Sequence, residues 1–501
     1  MWNGMGMRRQ KILLLTLAFN LATSQAMAYA PDDLNLRGRE LSLQEAISIA
    51  LRYNPNVRNA YLARTLAKFD LRVSKRSYQP IFGFSASSNF SSTKASSIPT
   101  DDATPSLTPI STTQDNLDLS AAPTVSLNTP IGGKLTSTLT NANLLDGYTP
   151  SLSLGYSQPL LKGAGSRIAQ LDLRTAYNAE RISRLSLKQS IIQQVDAVIS
   201  DYYALVSAEN ILKNNILALK DAKQQLEINQ AKIRAGQMAP NESVSTAADI
   251  AQRQVDVTSQ ENAIFGAKMT LLKDLGITDI KATIRVPTTV AVKIEKVPDL
   301  DESVRLALKN NITYQTDLLN FNQTRFDLLS AKDNMRWSLD LNVNARWGGS
   351  GDEGLGDIVS NRHRSYSYGL TLTAPLTDLS LQRTLLAKKI GYQEALDRIK
   401  QDKFNLMLDV RTRVNALRDA TRQIAQANES VRLAQESYRL EEKKVSLGLS
   451  NNVLLNTQRA ALTTAQNSLN TAKISYITAL KDYRTLLGIT LKAWNIKVKY
   501  W

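Results

Sequence analysis

The sequence contains one unit twice. The segment Glu45–Asn54 is similar to Glu302–Asn311 at a shift of 257 residues, and Lys232–Gly236 is similar to Lys444–Gly448 at a shift of 212 residues. The two shifts differ because the first copy carries an insertion in its middle. A duplicated chain builds a quasi-symmetric object from repeated supersecondary units, so the fold must accommodate two copies of one unit.

The amino terminus has the pattern of a targeting segment. Basic residues at 8–11 precede a short apolar run, Ile12–Leu21, and Ala26-Met27-Ala28 forms a small-x-small cleavage site. This pattern predicts a signal peptide at 1–28 and export from the cytoplasm. The apolar run is shorter than the ~20 residues of a membrane-spanning helix. An uncleaved membrane anchor is the alternative.

The composition leaves little room for catalytic chemistry. The chain has no cysteine and one histidine, His363, which excludes disulfides, thiolate metal sites and a lipid anchor and argues against zinc or triad chemistry. His363 lies in a Gly/Asp/Ser-rich stretch and is interpreted as a solvated loop residue. We therefore expect no enzyme activity, no catalytic residue, no metal site and no cofactor.

The chain is basic, with a net charge of +16 from 61 Lys and Arg against 45 Asp and Glu. A basic balance can indicate nucleic-acid binding. Here the basic residues are scattered among acidic and amide residues, which is typical of solvated helix faces. We expect no nucleic-acid partner, and some affinity for anionic headgroups of outer-membrane lipid.

Each copy has segments in which apolar and polar residues alternate. These predicted strands lie at about 80–158 and 338–375, with Phe82–Phe90 and Leu339–Trp347 as clear examples. A period of two predicts half-buried strands, and ~10-residue strands with one apolar face suit an outer-membrane barrel. A soluble sheet is the alternative, but two strands per copy cannot bury both faces alone.

The first copy has a long polar stretch between its strands. Ser91–Ser120 is of low complexity, and Gly348–Arg364 is the shorter counterpart in the second copy. Alternating residues around Ile131–Lys134 predict an additional hairpin with a Gly-Gly turn. The role of the extra loop and hairpin at 91–145 stays open.

Two long segments carry apolar residues at heptad spacing. No proline interrupts Ser166–Met238 or Asp378–Ser450, and apolar residues recur there at alternating intervals of four and three, as in coiled coils. A helix of ~70 residues is about 100 Å long, which no compact domain requires. The segments therefore predict a rod or the wall of a tube.

Each long segment ends at a glycine. Gly236 and Gly448 are predicted to be left-handed helix C-caps, and Asn241 and Asn451 can begin a helix that runs the other way. The result is a helical hairpin in each copy, at about 164–277 and 378–489, and both hairpin tips should lie at the same end.

These elements define the predicted domains. After the signal peptide come a first repeat (29–277), a linker (278–299), a second repeat (300–489) and a tail (490–501). The fold class is mainly α with a membrane β part, built from long antiparallel coiled-coil helices and two strands per copy. Four strands cannot close a barrel, whereas three chains would supply twelve strands.

The chain resembles the TolC-type outer-membrane efflux channels. The resemblance rests on Leu41–Ala46 with Asn54-Pro55, on Ser157–Gly163 and on the order and duplication of the elements. It implies a homotrimer with a twelve-stranded barrel in the outer membrane and a helical tunnel in the periplasm. It also implies a periplasmic adaptor and an inner-membrane ABC or proton-driven pump. The channel would be the passive exit duct of a tripartite efflux pump or type I secretion system.

The resemblance also assigns roles at the hairpin tips. It implies adaptor docking at Gly236, Gln237, Gly448 and Leu449. The candidate aperture residues are Glu242, Leu454 and Thr457. Glu242 keeps the family's acid at the first tip, but the family's two aspartates at the second tip are replaced by Leu454 and Thr457. The chemistry of closure must therefore differ, for example through an apolar ring at Leu454.

A secreted filament is the alternative function class. A secreted filament of flagellin type also has terminal coiled coils around a β-rich middle. The cleavable signal and the tandem duplication argue against it. Drugs, metal ions and proteins all remain possible cargoes of a duct of this build.

Overall fold

The architecture is that of a computed structural model of the chain. It describes residues 40–97, 110–142, 149–237, 239–279, 282, 284–288, 292–297, 299–348, 358 and 363–498. The predicted signal peptide, 1–28, lies outside the described residues.

Long helices dominate the chain. The helices are α1 (Leu43–Tyr53), α2 (Pro55–Arg76), α3 (Ser166–Ala169), α4 (Leu171–Arg234), α5 (Asn241–Leu275), α6 (Leu300–Asn310), α7 (Ile312–Asn334), α8 (Leu379–Ser446), α9 (Asn452–Leu486) and α10 (Thr490–Ala493). With 64 residues in α4 and 68 in α8, each of these helices extends for about 100 Å at ~1.5 Å per residue. The predicted long helices are therefore present.

The short helix of each copy begins with a capping side chain and ends at an asparagine. Ser42 and Glu45 form a capping box at the start of α1. The Asp299 side chain caps α6 by accepting a hydrogen bond from the Glu302 amide. These caps satisfy amides that have no partner within the helix. The chain then breaks and enters α2 or α7.

The asparagine at each break fastens it to the end of a distant helix. The Asn54 side-chain amide donates to the Asp274 carbonyl at 2.9 Å, and the Asn311 amide donates to the Leu486 carbonyl at 2.8 Å. Asn54 and Asn311 occupy equivalent positions in the two copies, as do Asp274 and Leu486. The duplication therefore preserves one specific tertiary contact.

The glycine next to each of these contacts has no room for a side chain. Gly276 and Gly488 have φ angles of 77° and 65°. A Cβ atom on Gly276 would lie 2.7 Å from the backbone of Tyr53, and one on Gly488 would collide with the Asn310 carbonyl oxygen. Both glycines are thus required by left-handed backbone and by close approach.

The strands form one antiparallel sheet. They are β1 (Ile81–Ser97), β2 (Ile110–Asn128), β3 (Lys134–Ala142), β4 (Thr149–Pro159), β5 (Ser338–Gly348) and β6 (His363–Thr373). Their order in the sheet follows the chain from β1 to β6. The two copies meet where β4 pairs with β5, for example at Tyr156 and Val343.

The strand count corrects the sequence prediction. The first copy contributes four strands rather than the two counted for each copy, because the predicted additional hairpin supplies β2 and β3 of the same sheet. β1 pairs with β2 over its whole length, from Ile81 with Ser126 to Ser97 with Ile110. Much of the polar stretch Ser91–Ser120 is therefore strand and not loop. His363, predicted to lie in a loop, begins β6. Strand pairing uses backbone hydrogen bonds, which form between polar residues as well as between apolar ones. A search for alternating apolar residues therefore does not detect a polar strand.

The additional hairpin is anchored by its turn. The Gly165 amide donates to the Ile131 carbonyl at 3.0 Å. A Cβ atom on Gly132 would come within 2.5 Å of the Gly163 carbonyl oxygen. The β2–β3 turn is thus packed closely against the segment that joins β4 to α3.

The described residues fall into two compact units. One comprises those up to 58 together with 191–297 and 415–483, and the other comprises 59–190, 298–414 and those from 484 onward. Each unit draws on both sequence copies. The boundaries of the predicted repeats stay predictions.

The apolar seam of α4, meaning the stripe of its side chains that packs against neighbouring helices, changes along the helix. Val198 and Leu205 are fully buried. Nearer the tip, Ile216 is 47% exposed, whereas Ala218 and Ala222 are buried. An ideal helix drifts by ~20° per heptad relative to a 3.5-residue repeat. Small residues, which let neighbouring backbones approach closely, then take over the seam.

The helix contacts of the first unit include two neighbouring carboxyl groups. Asp201 of α4 is partly buried, and the carboxyl group of Asp274 on α5 lies next to its carboxyl group. Burial, followed by this contact, raises the pKa of Asp201 to about 6. The folded chain therefore holds the proton more tightly than the unfolded chain, where the pKa of Asp is ~3.9.

This pair predicts a pH dependence of stability. Because the folded pKa is raised, the stabilising contribution of Asp201 is complete below about pH 4 and is lost as the pH rises through about 6. Asp201→Asn should therefore lose less thermal stability than the parent between about pH 5 and about pH 7.5. Thermal unfolding of the purified protein measures this. The control is Asp256→Asn, at an exposed position of α5; equal slopes for the two variants would contradict the assignment.

None of the helices in the described part of the chain combines the length and the apolar character needed to cross a membrane.

Candidate functional site: the tips of the two helical hairpins

Both hairpin tips turn on a left-handed glycine, as the sequence predicts. Gly236 and Gly448 have φ angles of 70° and 73°. The next amide, of Gln237 or Leu449, donates to a carbonyl of the last helical turn at 2.9 Å in each tip. This hydrogen bond and the preceding one close a Schellman motif, so the same backbone geometry ends α4 and α8.

The tip glycines differ from Gly276 and Gly488 in their surroundings. A Cβ atom on Gly236 or Gly448 would meet no atom within 4 Å. The tips are therefore exposed in the isolated chain, and there the left-handed turn, rather than lack of space, requires glycine.

The second tip carries an apolar surface. Four of its large apolar side chains are exposed: Leu447 (64%), Leu449 (75%), Val453 (55%) and Leu454 (43%). The first tip ends in exposed Arg234, Ala235, Gly236 and Gln237. Apolar side chains clustered on an exposed turn are typical of a protein-interaction site, so the two tips present different chemistry.

A buried glutamate holds the second tip in place. The Ser450 hydroxyl donates to the Glu441 carboxylate across the turn, and the Lys444 ammonium lies 3.3 Å from the same carboxylate. The hydrogen bond from Ser450 and the nearby Lys444 lower the pKa of Glu441. The Leu454 amide donates to the Asn451 side chain at 2.9 Å, which confirms Asn451 as the start of the return helix.

The first tip uses neutral side chains at the corresponding place. Asn229, the counterpart of Glu441 in the first copy, is fully buried. Its side-chain amide donates to the Thr246 hydroxyl at 2.9 Å and its carbonyl accepts from Gln225 at 3.0 Å. A buried polar layer of this kind requires that each member has a partner, and it fixes the register of α4 against α5.

The structure describes the side chains of two of the three candidate aperture residues, Leu454 and Thr457. The side chain of Glu242 lies outside the described residues. Leu454 is exposed on the first turn of α9. The Thr457 hydroxyl donates to the Val453 carbonyl of its own helix at 3.0 Å. Their role in closing a pore stays a prediction.

Arg459 is a residue of this region that the sequence did not indicate. It is buried in α9, and its guanidinium group donates to the Tyr438 hydroxyl of α8 at 2.8 Å. The Arg459 Nε atom lies 3.7 Å from an Asp221 carboxylate oxygen on α4. One side chain thus connects the two hairpins. Arginine is common on exposed helix faces, so the pattern of residues gives no signal of its burial.

No group of His, Asp and Glu among the described residues is arranged to hold a metal ion. What this geometry presents is a duplicated helical scaffold with a β-sheet and two exposed tips.

Known proteins share this scaffold. Residues 307–489 match the family model described as "Outer membrane efflux protein", a segment that covers most of the second copy. Over these residues the chain is similar to the outer membrane efflux protein family. The first copy repeats the unit that the family model matches.

Solved structures of outer-membrane channels have the same fold as this chain. The Campylobacter jejuni CmeC channel is 15% identical, with 89% of this chain and 85% of that chain covered and a TM-score of 0.66. The Vibrio cholerae protein VceC is 14% identical, with coverages of 89% and 96% and a TM-score of 0.66. The open state of the Neisseria gonorrhoeae MtrE channel is 15% identical, with 89% of this chain and 88% of that chain covered and a TM-score of 0.64. No curated protein sequence gives a significant match.

The family match and the shared fold together indicate the function. The protein is an outer-membrane efflux channel of the TolC type, with its sheet in the outer membrane and its long helices extending into the periplasm. Proteins of this family transport substrates and are not enzymes. The filament alternative is thereby rejected, and the mainly helical fold class with a membrane β part is confirmed.

Proposed function

We propose that the protein works as a homotrimer and forms the exit duct of a tripartite efflux pump or type I secretion system. Substrates would enter from an inner-membrane ABC or proton-driven pump through a periplasmic adaptor. The proposal rests on two uncovered surfaces of the sheet-containing unit. Each combines an unpaired edge of the sheet with the exposed apolar face of a neighbouring helix, α2 beside β1 and α8 beside β6.

The first uncovered surface belongs to α2 and β1. Leu62, Leu66, Phe69 and Val73 recur at helical spacing and are 47–63% exposed. β1, which follows α2, pairs on one edge with β2 and has no partner on its other edge among the described strands. A row of exposed large apolar residues beside an open strand edge is an association surface.

The second uncovered surface belongs to β6 and α8. β6 pairs with β5 alone among the described strands. In α8, five large apolar residues are 47–74% exposed: Leu379, Leu386, Ile390, Phe404 and Leu408. Because the two surfaces differ, a contact between them is heterologous and generates a ring when the rotation closes. A second copy of the chain therefore fits each surface.

The six-stranded sheet changes the expected barrel. Three copies would supply eighteen strands rather than the twelve implied by the family resemblance. With strands ~4.8 Å apart and tilted by ~40°, the barrel radius is roughly 12 Å for twelve strands and roughly 18 Å for eighteen. The additional hairpin of the first copy would thus widen the outer-membrane part of the duct.

A substitution that adds a charge to the exposed apolar face of α2 tests the trimer. Leu66→Glu should abolish the trimer, since a buried unpaired carboxylate costs several kcal/mol in each of three identical contacts. The measurement is the mass of the detergent-extracted protein by light scattering, with the parent expected at three times the chain mass. Ala63→Glu, exposed on α2 beside the row, is the matched control and should remain trimeric. A monomeric parent, or equal effects of both variants, would refute the proposed contact.

We further propose that the tips meet the adaptor. Gly236, Gln237, Gly448 and Leu449 are exposed, and the apolar side chains of the second tip supply a surface that an apolar partner would cover. Leu454, Thr457 and Glu242 are the proposed aperture. With Leu454 at the position of a family aspartate, closure would rely on apolar contact between copies.

A further inference from the structure

A basic cavity lies in the sheet-containing unit, between α3, the start of α4, α7 and α8. Its volume is about 410 Å³, which is within the usual range of small-molecule sites. Four of the residues that line it are cationic: Arg167, Arg174, Arg325 and Lys332. The remaining lining residues are Phe326, Leu328, Leu329 and Tyr392. No acidic residue lines the cavity.

The four cations have no counter-ion within the described part of the chain. None of them forms an ion pair or a side-chain hydrogen bond there. Nearby carboxylates are already engaged: Asp327 pairs with Lys388 at 2.8 Å, and Asp333 accepts from the Gly163 amide at 2.7 Å. Like charges around one cavity repel each other, so a bound anion would be stabilised by all four.

The helices around the cavity are held in position by contacts outside it. The Asn178 side chain of α4 donates to the Leu319 carbonyl of α7 at 2.8 Å. On the other side, the rings of Phe321 in α7 and Tyr392 in α8 lie 5.4 Å apart, and Lys388 reaches Asp327. The cavity therefore exists before any ligand binds, which lowers the entropy cost of binding.

The position of the cavity along the chain places it beside the membrane. Lys332 lies on the last turn of α7, a few residues before β5 begins at Ser338, and Arg167 lies shortly after β4 ends at Pro159. Both residues are therefore close along the chain to the strand ends at which the sheet passes into the helices. Since the sheet lies in the outer membrane, this is the level of the phosphates of the periplasmic leaflet.

We propose that this cavity binds a phosphate group, carried either by the headgroup of an anionic phospholipid or by a free phosphate-bearing anion. Arginine matches phosphate oxygens with two parallel N–H donors, and lysine adds a point charge. Phe326, Leu328 and Leu329 provide an apolar floor for the carbon atoms of a lipid glycerol. The inference concerns binding of an anion to the channel wall and does not depend on the cargo or on the adaptor.

The test compares two ligands on the full-length protein in neutral detergent. Native mass spectrometry measures retention of phosphatidylglycerol, with phosphatidylcholine as the comparison, and calorimetry measures binding of inorganic phosphate. The variant is Arg174→Ala/Arg325→Ala, which should weaken phosphatidylglycerol binding about 25-fold, at about fivefold per cation removed. The control is Lys400→Ala/Arg422→Ala, which removes two exposed cations of α8 that are already paired with Asp397 and Asp419.

The outcomes show whether the cavity binds phosphate, and whether a lipid headgroup or a soluble anion carries that phosphate. Phosphatidylglycerol binding that the variant loses and the control keeps supports a lipid headgroup site. Loss of inorganic phosphate binding alone supports the phosphate site and assigns it to a soluble anion. Equal binding by parent, variant and control overturns the proposal. So does a change in subunit number of the variant without a change in ligand binding, because the cations would then serve a contact between chains.

Discussion

Replacing Gly488 by alanine is expected to prevent the folded protein from accumulating in the outer membrane. Gly488 adopts a φ of 65°, where a Cβ atom costs ~1–2 kcal/mol. That atom would also collide with the Asn310 carbonyl group, and relieving an overpacked contact costs typically ~1–3 kcal/mol. The Asn311 hydrogen bond to Leu486 is the neighbouring contact that would be displaced.

The expected loss is large compared with what a protein can tolerate. Net stability is typically ~5–15 kcal/mol, and the two costs together reach several kcal/mol in every copy of the chain. Gly276→Ala should behave in the same way, because its Cβ atom would lie 2.7 Å from the Tyr53 backbone. The measurement is the amount of folded protein in outer-membrane fractions and its midpoint of thermal unfolding.

The hairpin tips supply a matched control for this prediction. Gly236→Ala and Gly448→Ala place the same side chain on backbones of nearly the same φ, but in open space. They should therefore show only the conformational cost of ~1–2 kcal/mol. If all four variants lose stability equally, the close approach at Gly276 and Gly488 is not what requires glycine.

Gly448→Asp is expected to abolish export while leaving the protein folded. The side chain meets no atom within 4 Å, so it has room. It adds conformational strain and a negative charge beside the exposed Leu447 and Leu449. A desolvated, unpaired charge in an apolar contact costs several kcal/mol, which is enough to remove a docking interaction. The measurements are export activity in cells and the mass of the extracted protein.

Two further variants, one at the first tip and one at the proposed aperture, are compared with Gly448→Asp. Gly236→Asp should have a weaker effect, because the first tip lacks the exposed leucines. Leu454→Asp should instead raise conductance in planar bilayers, since clustered carboxylates would repel each other at an apolar closure. Normal export by both glycine variants, with unchanged conductance of Leu454→Asp, would show that the tips are neither docking site nor gate.

Local signals in the sequence predicted the helical part well. Ser42 and Glu45 mark the start of α1, and Gly236 and Gly448 mark the ends of α4 and α8. These features depend on residues within a few positions of each other, because caps and left-handed turns are local structures. A sequence can therefore display them directly.

The strand count and the buried polar residues were harder to predict. β2 runs through Ser, Thr, Gln and Asp residues that resemble a loop, yet its backbone pairs along all of β1. Asn229 and Arg459 have residue types that are usually exposed, but both are buried against neighbouring helices. Their partners, Thr246 and Tyr438, become neighbours only when the hairpins pack.

The sequence by itself determined the duplication, the long helices and the turns, because these follow from residue periodicity and local backbone preference. The resemblance to a channel family rested on the order and duplication of these elements. Only the tertiary structure decided that the chain supplies six strands, that Gly276 and Gly488 lie against the breaks after Tyr53 and Asn310, and that four unpaired cations surround one cavity. Such features arise from contacts between residues far apart in the chain. Hydrophobic patterns record the burial of a face, but they do not record which distant backbone or charge that face meets.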